Sequence, residues 1–305
     1  MHQTFTRRNV LRCLAAATVL AGVGGCGSRS RPLAEDEAAL VALEREAGGR
    51  LGVYALDTAS GRSIGHRAHE RFALCSTFKL LLAGAVLREA DAGRLSLDSM
   101  IAYSAADMVP HAPVTEAHLG GGMSIGALAE AAQRTSDNVA ANLLLRLLGG
   151  PAAFTTMLRE MGDPLTRLDR YEPEMSLVVA GDVRDTSTPY AMAAIVARLF
   201  GDTLLSSGSR ELLRQWMIDT ATGTRRIRAG LPADWVAGDK TGTGRAPGMP
   251  NRHNDVAVIW LAQRAPIVVA AYYETSQPWP ALRPEDDAVL AAVGRIVAGW
   301  IERGR

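Results

Sequence analysis

Ser76 and Lys79 stand three residues apart at the head of a stretch that runs to Leu87 with no other charged side chain. On a helix, residues at i and i+3 share a face, so the amine reaches the hydroxyl. Burial among Leu80, Leu81, Leu82 and Ala83 disfavours the ammonium and lowers its pKa, and a neutral lysine is a base. The serine falls at the helix start, where free N–H groups and the positive end of the macrodipole favour developing negative charge. Together these residues suggest acyl transfer through a serine oxygen. Taken alone, the pair also fits a plainer arrangement, an N-cap serine with a lysine snorkelling to water.

Three further clusters follow in order: Ser136-Asp137-Asn138, Arg170-Tyr171-Glu172-Pro173-Glu174 and Lys240-Thr241-Gly242-Thr243-Gly244. With them the chain resembles the class A serine β-lactamases, whose marks are Ser-x-x-Lys, Ser-Asp-Asn, a loop glutamate and Lys-Thr-Gly. Val114-Thr115-Glu116, Asn142-Leu143-Leu144, Leu168-Asp169-Arg170, Arg184-Asp185-Thr186 and Asp234-Trp235 are also similar to family sequence in register. The resemblance runs from about Ala34 to the C-terminus, the span one catalytic domain needs.

The resemblance implies that Ser76 attacks the strained amide of a β-lactam, with Lys79 and Glu172 both candidates for the base that takes its proton. Glu172 would then activate the water that hydrolyses the acyl-enzyme. Its segment, 170–185, has few apolar anchors, and Arg170 with Asp185 would clamp it. Ser176 stands where the family usually has an asparagine helping to hold that water. Serine still donates and accepts hydrogen bonds, so its shorter side chain bears on rate and spectrum more than on reaction type. Ser136 would carry a proton to the leaving nitrogen, and Asn138 would hydrogen-bond the acyl side-chain amide. An extended segment would point both the same way, and an N-cap before the apolar helix 139–148 is compatible with this.

On the opposite wall the resemblance places Lys240, Thr241 and Thr243 as a strand edge, the lysine supplying charge and the hydroxyls donating toward the substrate carboxylate. Gly242 permits close backbone approach, and the backbone N–H groups of Ser76 and Thr243 would form an oxyanion hole. Arg226 aligns with an arginine that some relatives use for that carboxylate; the alternative is a surface arginine within Arg225-Arg226-Ile227-Arg228. His111 aligns with a rim position often held by an aromatic, or is a plain surface histidine. The loop from Arg245 to Asn254, with Pro247, Gly248 and Pro250, is slightly longer than usual and would reshape the cleft.

His66 and His69 lie on a short hairpin edge without convincing carboxylate or cysteine partners, so they read as exposed polar residues. No metal and no other cofactor is expected. Two rivals share much of the pattern: a penicillin-binding DD-peptidase and a non-hydrolysing β-lactam receptor. Both predict slow release of the acyl group, whereas Glu172 predicts hydrolysis.

The chain has 305 residues, 48% apolar, enough for one large or two interleaved domains. A formal charge of +1 gives no electrostatic case for nucleic acid, and the expected partners are small-molecule β-lactams bound by a monomer. Thr6-Arg7-Arg8-Asn9-Val10-Leu11-Arg12, the apolar run 14–23 and Val23-Gly24-Gly25-Cys26 read as an export signal over 1–25 with paired arginines. The run is shorter than the roughly 20 residues of a membrane-spanning helix. Its end resembles a lipoprotein processing box, which would leave Cys26 lipidated at the head of a tether, 26–33; the alternative is ordinary cleavage to a soluble enzyme. Either route exports the protein to the periplasm or the outer side of the cell membrane. Of the cysteines, Cys13 lies in the signal and Cys26 at the processing site, so Cys75 is left without an internal partner and reads as a small buried hydrophobe. In some carbapenem-hydrolysing relatives a cysteine just before the nucleophile pairs with one after Lys-Thr-Gly-x. That position is Gly244 here, which counts against their spectrum.

These residues need rigid elements to hold them. Gly52 to Asp57 and Ser63 to His66 flank Ala59-Ser60-Gly61 as a β-hairpin. The strands Val256–Trp260 and Ile267–Tyr272, with a strand from Trp235 to Thr243, would complete an antiparallel sheet built from both chain ends. A helix from Glu285 to Glu302 would cover one face. The middle of the chain is mostly helical, punctuated at Gly93, Gly120-Gly121-Gly122, Gly149-Gly150 and Gly162. The expected fold is α+β. The resemblance implies a β-lactamase/transpeptidase-like architecture, with a sheet domain of 34–67 and 218–305, an inserted all-helical domain of 68–217, and the site between them.

Overall fold

The apolar runs near the two chain ends meet in one antiparallel sheet. The computed structural model describes residues 35–201 and 203–304; the signal segment, Cys13, Cys26 and the tether 26–33 lie outside the described residues. In chain order the elements are α1 (Glu35–Ala47), β1 (Arg50–Asp57), β2 (Ser63–His66), β3 (Phe72–Ala73), α2 (Phe78–Asp91), β4 (Met100–Ile101), β5 (Met123–Ser124), α3 (Ile125–Arg134), α4 (Asn138–Leu147), α5 (Pro151–Glu160), β6 (Thr186–Ser187), α6 (Pro189–Phe200), α7 (Ser207–Ile218), β7 (Val236–Gly244), β8 (Arg252–Trp260), β9 (Ile267–Glu274) and α8 (Pro284–Arg303).

The main sheet runs β2-β1-β9-β8-β7, so the N-terminal hairpin joins the C-terminal meander where β1 pairs with β9. Alternation along the strands sends Val256, Val258, Val268, Ala270 and Tyr272 into a core shared with α2 and α6, and Ala257, Ile259, Val269, Ala271 and Tyr273 into a second core under α8. Both faces are therefore covered, which is why these strands are nearly continuous apolar runs in the sequence. Val289, Leu290, Val293, Val297 and Ile301 of α8 form the stripe that seals the second core, and α1, which the sequence reading did not anticipate, adds Leu40 beside it.

On the other face α2 is the central rod, buried at every position from Phe78 to Leu87. A helix apolar on all sides must be enclosed on all sides, and it packs against α3, α4, α5 and α7. The α+β class and the sheet with flanking helices agree with expectation. Two local expectations do not. The turn between β7 and β8 is shorter than the predicted loop, because Arg252, His253 and Asn254 already pair with Gly244, Thr243 and Gly242 in the ladder. Ser136 and Asn138 do not share an extended segment. Ser136 has a left-handed backbone (φ 61°), and Asn138 is the first residue of α4.

Candidate active site

Ser76 sits in a single 3-10 turn, Cys75–Thr77, that leads into α2. Strand β8 fixes the approach to this turn: Asn254 Nδ2 donates to the carbonyls of Ala73 (2.8 Å) and Leu74 (3.2 Å). Strand β7 presses from the side, so closely that a Cβ on Gly242 would lie 2.9 Å from the Leu74 carbonyl oxygen. The glycine is required there by close approach rather than by backbone angle.

Lys79, one turn along α2, is fully buried. Its Nζ lies 3.0 Å from Ser76 Oγ and 3.0 Å from Glu172 Oε1, and it donates to the Ser136 carbonyl (2.9 Å) and Asn138 Oδ1 (2.5 Å). Burial lowers the pKa of this amine, and the charge of Glu172 works against that shift. Lys240 on β7, also fully buried, is lowered well below the ordinary lysine value by burial and then by the positive charge of Lys79. The two amines converge on one hydroxyl: Ser136 Oγ is 3.4 Å from Lys79 Nζ and 3.1 Å from Lys240 Nζ.

Asp137 holds Ser136 in its uncommon conformation. Its carboxylate caps α4 by accepting from Ala140 N (2.9 Å) and anchors the preceding loop by accepting from Val114 N, Thr115 N and Thr115 Oγ1. The capping role thus belongs to Asp137, which leaves its two neighbours free to face the cleft. Cys75, His111, Ser136 and Asp185 are four of the six non-glycine residues with positive φ among the described residues. Such backbone clusters where the surroundings over-determine it.

Glu172 is 4% exposed and accepts from Ser76 Oγ at 3.2 Å. Asn142 on α4 grips its main chain from both sides, donating to the Glu172 carbonyl and accepting from the Glu172 N–H, each at 2.9 Å. The ends of the loop are joined by Arg170 Nε and Asp185 Oδ2 at 2.6 Å, and Asp185 Oδ1 also accepts the backbone N–H groups of Asp169 and Arg170. Burial raises the pKa of Asp185, against these hydrogen bonds. From the sheet, Arg252 donates to the carbonyls of Ser176 and Val178, while Met175 is the loop's fully buried apolar anchor. Ser176 lines the cleft with its hydroxyl on Met175 Sδ at 3.3 Å.

The resulting cavity measures about 850 Å³ and is lined by Ser76, His111, Ser136, Asn138, Glu172, Ser176, Thr241, Thr243 and Arg226, among others. Lys79, Lys240 and Gly242 lie buried beneath its surface, and Arg170 with Asp185 at the root of the loop. Arg226 is no surface arginine: it is 6% exposed and built into the wall. His111 is exposed on the rim, with Nε2 3.1 Å from the Thr135 carbonyl. One of the two hairpin histidines, His66, also differs from expectation, whereas His69 is exposed as expected. His66 is half-buried with Nε2 3.0 Å from Glu44, a carboxylate partner that α1 supplies, and His69 packs on Tyr190. Sequence reasoning assigned no role to Asn142, Arg252, His253 or Asp287. Asn142 left a signal, an amide in the middle of the apolar run 139–145 of α4; His253 and Asp287 meet only through the packing of α8 on β8.

A family model described as the β-lactamase enzyme family matches residues 33–301. Beta-lactamase FAR-1 of Nocardia farcinica (strain IFM 10152) is 42% identical over 309 residues, 96% of this chain and 96% of its own length. The carbapenem-hydrolyzing beta-lactamase KPC of Klebsiella oxytoca is 44% identical over 83% of this chain and 85% of its own. The solved structure of the class A β-lactamase of the last common ancestor of Gram-negative bacteria shares 52% identity at a TM-score of 0.83, covering 88% of this chain and 100% of that one.

Proposed function

The chain belongs to the class A β-lactamase family and is a hydrolase of β-lactams, and we propose that it opens penicillins and cephalosporins through an acyl-enzyme on Ser76 that a Glu172-activated water hydrolyses. The observation that carries this reading is the buried Glu172 carboxylate 3.2 Å from the nucleophilic oxygen and 3.0 Å from Lys79 Nζ.

In the first step Ser76 Oγ attacks the ring carbonyl and gives its proton to Lys79 or Glu172, both within hydrogen-bond reach. The backbone N–H groups of Ser76 and Thr243 receive the oxyanion, each such donor being worth roughly 3 kcal/mol in serine hydrolases. Ser136, lying between two amines of lowered pKa, passes a proton to the leaving ring nitrogen. Arg226 and the hydroxyls of Thr241 and Thr243 hold the substrate carboxylate, Asn138 the acyl side-chain amide, and His111 packs at the rim. In the second step Glu172 takes a proton from water as it attacks the ester, with the Ser176 hydroxyl supporting that water. Arg170 and Asp185 keep the glutamate in place. The cleft lies between a sheet half, 34–67 and 218–305, and a helical half, 68–217. Export by the paired-arginine signal, with Cys26 lipidated, would put a monomeric enzyme where β-lactams enter the cell; mass spectrometry of the mature N-terminus reads this directly.

Stopped-flow hydrolysis of a chromogenic cephalosporin tests the scheme. The unmodified enzyme turns over steadily, and Glu172→Ala gives one stoichiometric burst with turnover reduced at least ~10³-fold. A single burst from the unmodified protein overturns the hydrolase mechanism in favour of a receptor or DD-peptidase.

A further inference from the structure

In the wall that faces the substrate carboxylate, Arg226 is backed by Asp287 and His253, two residues with no part in the steps above. A guanidinium has five N–H donors, and Arg226 spends four inside the protein: Nε on Asp287 Oδ1 (2.8 Å), Nη1 on the Gly242 and Asn254 carbonyls (3.0 and 2.7 Å) and one from Nη2 on Thr243 Oγ1 (2.7 Å). One Nη2 hydrogen remains for a ligand. Its direction, and the charge behind it, depend on Asp287, the one carboxylate to which Arg226 is bonded among the described residues.

His253 stands on β8 directly across the ladder from Thr243, 1% exposed, in the lining of the same cavity. Its Nδ1 is 3.0 Å from Asp287 Oδ1, the oxygen that also receives Arg226 Nε. An ionised carboxylate only accepts, so Nδ1 carries the hydrogen. Burial alone would raise the pKa of Asp287; the His253 hydrogen bond and the Arg226 charge outweigh it and hold the carboxyl below the usual range. The other groups around this pair are weaker partners. Arg225 reaches Asp287 Oδ2 at 3.3 Å from a side chain 78% exposed, and Asp286, already tied to Arg283, lies 3.7 Å from His253 Nε2.

We propose that His253 is a positioning residue for the substrate carboxylate: by donating Nδ1–H to Asp287 it fixes that side chain and draws off part of its charge, so that Arg226 keeps both its aim and its net attraction for the ligand. Without the imidazole, Asp287 would neutralise Arg226 more completely, and the Nε end of the guanidinium would lose its fixed partner while Nη1 and Nη2 stay bonded. The inference rests on Arg226 being the carboxylate anchor, and the test separates the two.

The probes are benzylpenicillin and its neutral methyl ester, compared by kcat/KM in the full-length enzyme. The wild-type enzyme prefers the acid; absence of that preference removes the anchor role of Arg226 itself. His253→Leu, which fills the buried space without a donor, lowers the preference about ten-fold, the size expected for one hydrogen bond to a charged group, and does so through KM rather than kcat. His253→Asn, whose amide can stand in for Nδ1–H, restores most of it. A wild-type preference that survives in His253→Leu, or a loss that His253→Asn shares in full, overturns the proposal. His253→Ala carries the same comparison if thermal melting shows the leucine variant unfolded.

Discussion

Cys75 precedes the nucleophile in a left-handed conformation (φ 43°), fully buried against β7, and burial pushes its thiol up to about 11. Thiolate is the reactive form, so near neutrality this side chain acts only as packing. Iodoacetamide at pH 7.5 should leave the Cys75 peptide unmodified in the native enzyme and alkylate it once the chain is unfolded, as peptide mass spectrometry reads. Labelling of the native protein at this site would mean that the turn beneath Ser76 opens. The same scale explains why Ser136 was legible and its geometry was not. The residue type, hydroxyl before Asp-Asn, is plain in the sequence, but its left-handed backbone comes from Asp137 bonding to a loop more than twenty residues earlier.

The segment 170–185 has no strand or α-helix, only a 3-10 turn at Glu174–Ser176, and is held by named contacts instead of a ladder. Its expected clamp exists as Arg170–Asp185, but the structure adds Asn142 under the glutamate, Met175 in the core and Arg252 reaching across from β8. Asp185 is fully buried and already disfavoured as an anion. Arg170→Ala strands that carboxylate, which costs about 3 kcal/mol, and lets the loop carrying Glu172 shift. Displacement of a catalytic group by about 1 Å is worth on the order of 10²-fold. Denaturant unfolding should register the first loss, and acyl-enzyme trapped by rapid quench should register the second, accumulating during cephalosporin turnover. A variant that keeps wild-type deacylation would show that Asn142 and Arg252 suffice to hold the loop.

At the scale of the whole molecule, one carboxylate ties α1 to both strands of the first hairpin, beside the packing of Leu40 and the Tyr273 hydroxyl on the Ala47 carbonyl. Glu44 on α1 accepts from Leu51 N at the start of β1, from His66 at the end of β2 and from Arg67. Burial alone would raise its pKa, but the hydrogen bonds from Arg67, Leu51 and His66 prevail and lower it from 4.5 to about 2. A carboxyl depressed in the folded state stabilises above its unfolded pKa, and that stabilisation fades as pH falls toward the folded value. The shift corresponds to roughly 3 kcal/mol. Glu44→Gln should therefore be less stable than wild type by about that much at pH 7, with the gap closing between about pH 4.5 and pH 2 in urea melts. A gap independent of pH would mean that the contact acts through packing rather than charge.

The sequence by itself determined the chemical groups, their order and the elements that carry them. Ser76 with Lys79 is a local spacing on one helix, and the strands 256–260 and 267–272 are local runs of apolar residues, so both could be read without a fold. Convergence came only from the tertiary structure. Lys240 reaches Ser136 because β7 packs against the helical layer, and Arg226, Asp287 and His253 meet because α8 lies on the sheet. Which helix face meets which strand depends on how apolar surfaces from distant segments fit together. No window of neighbouring residues contains that information.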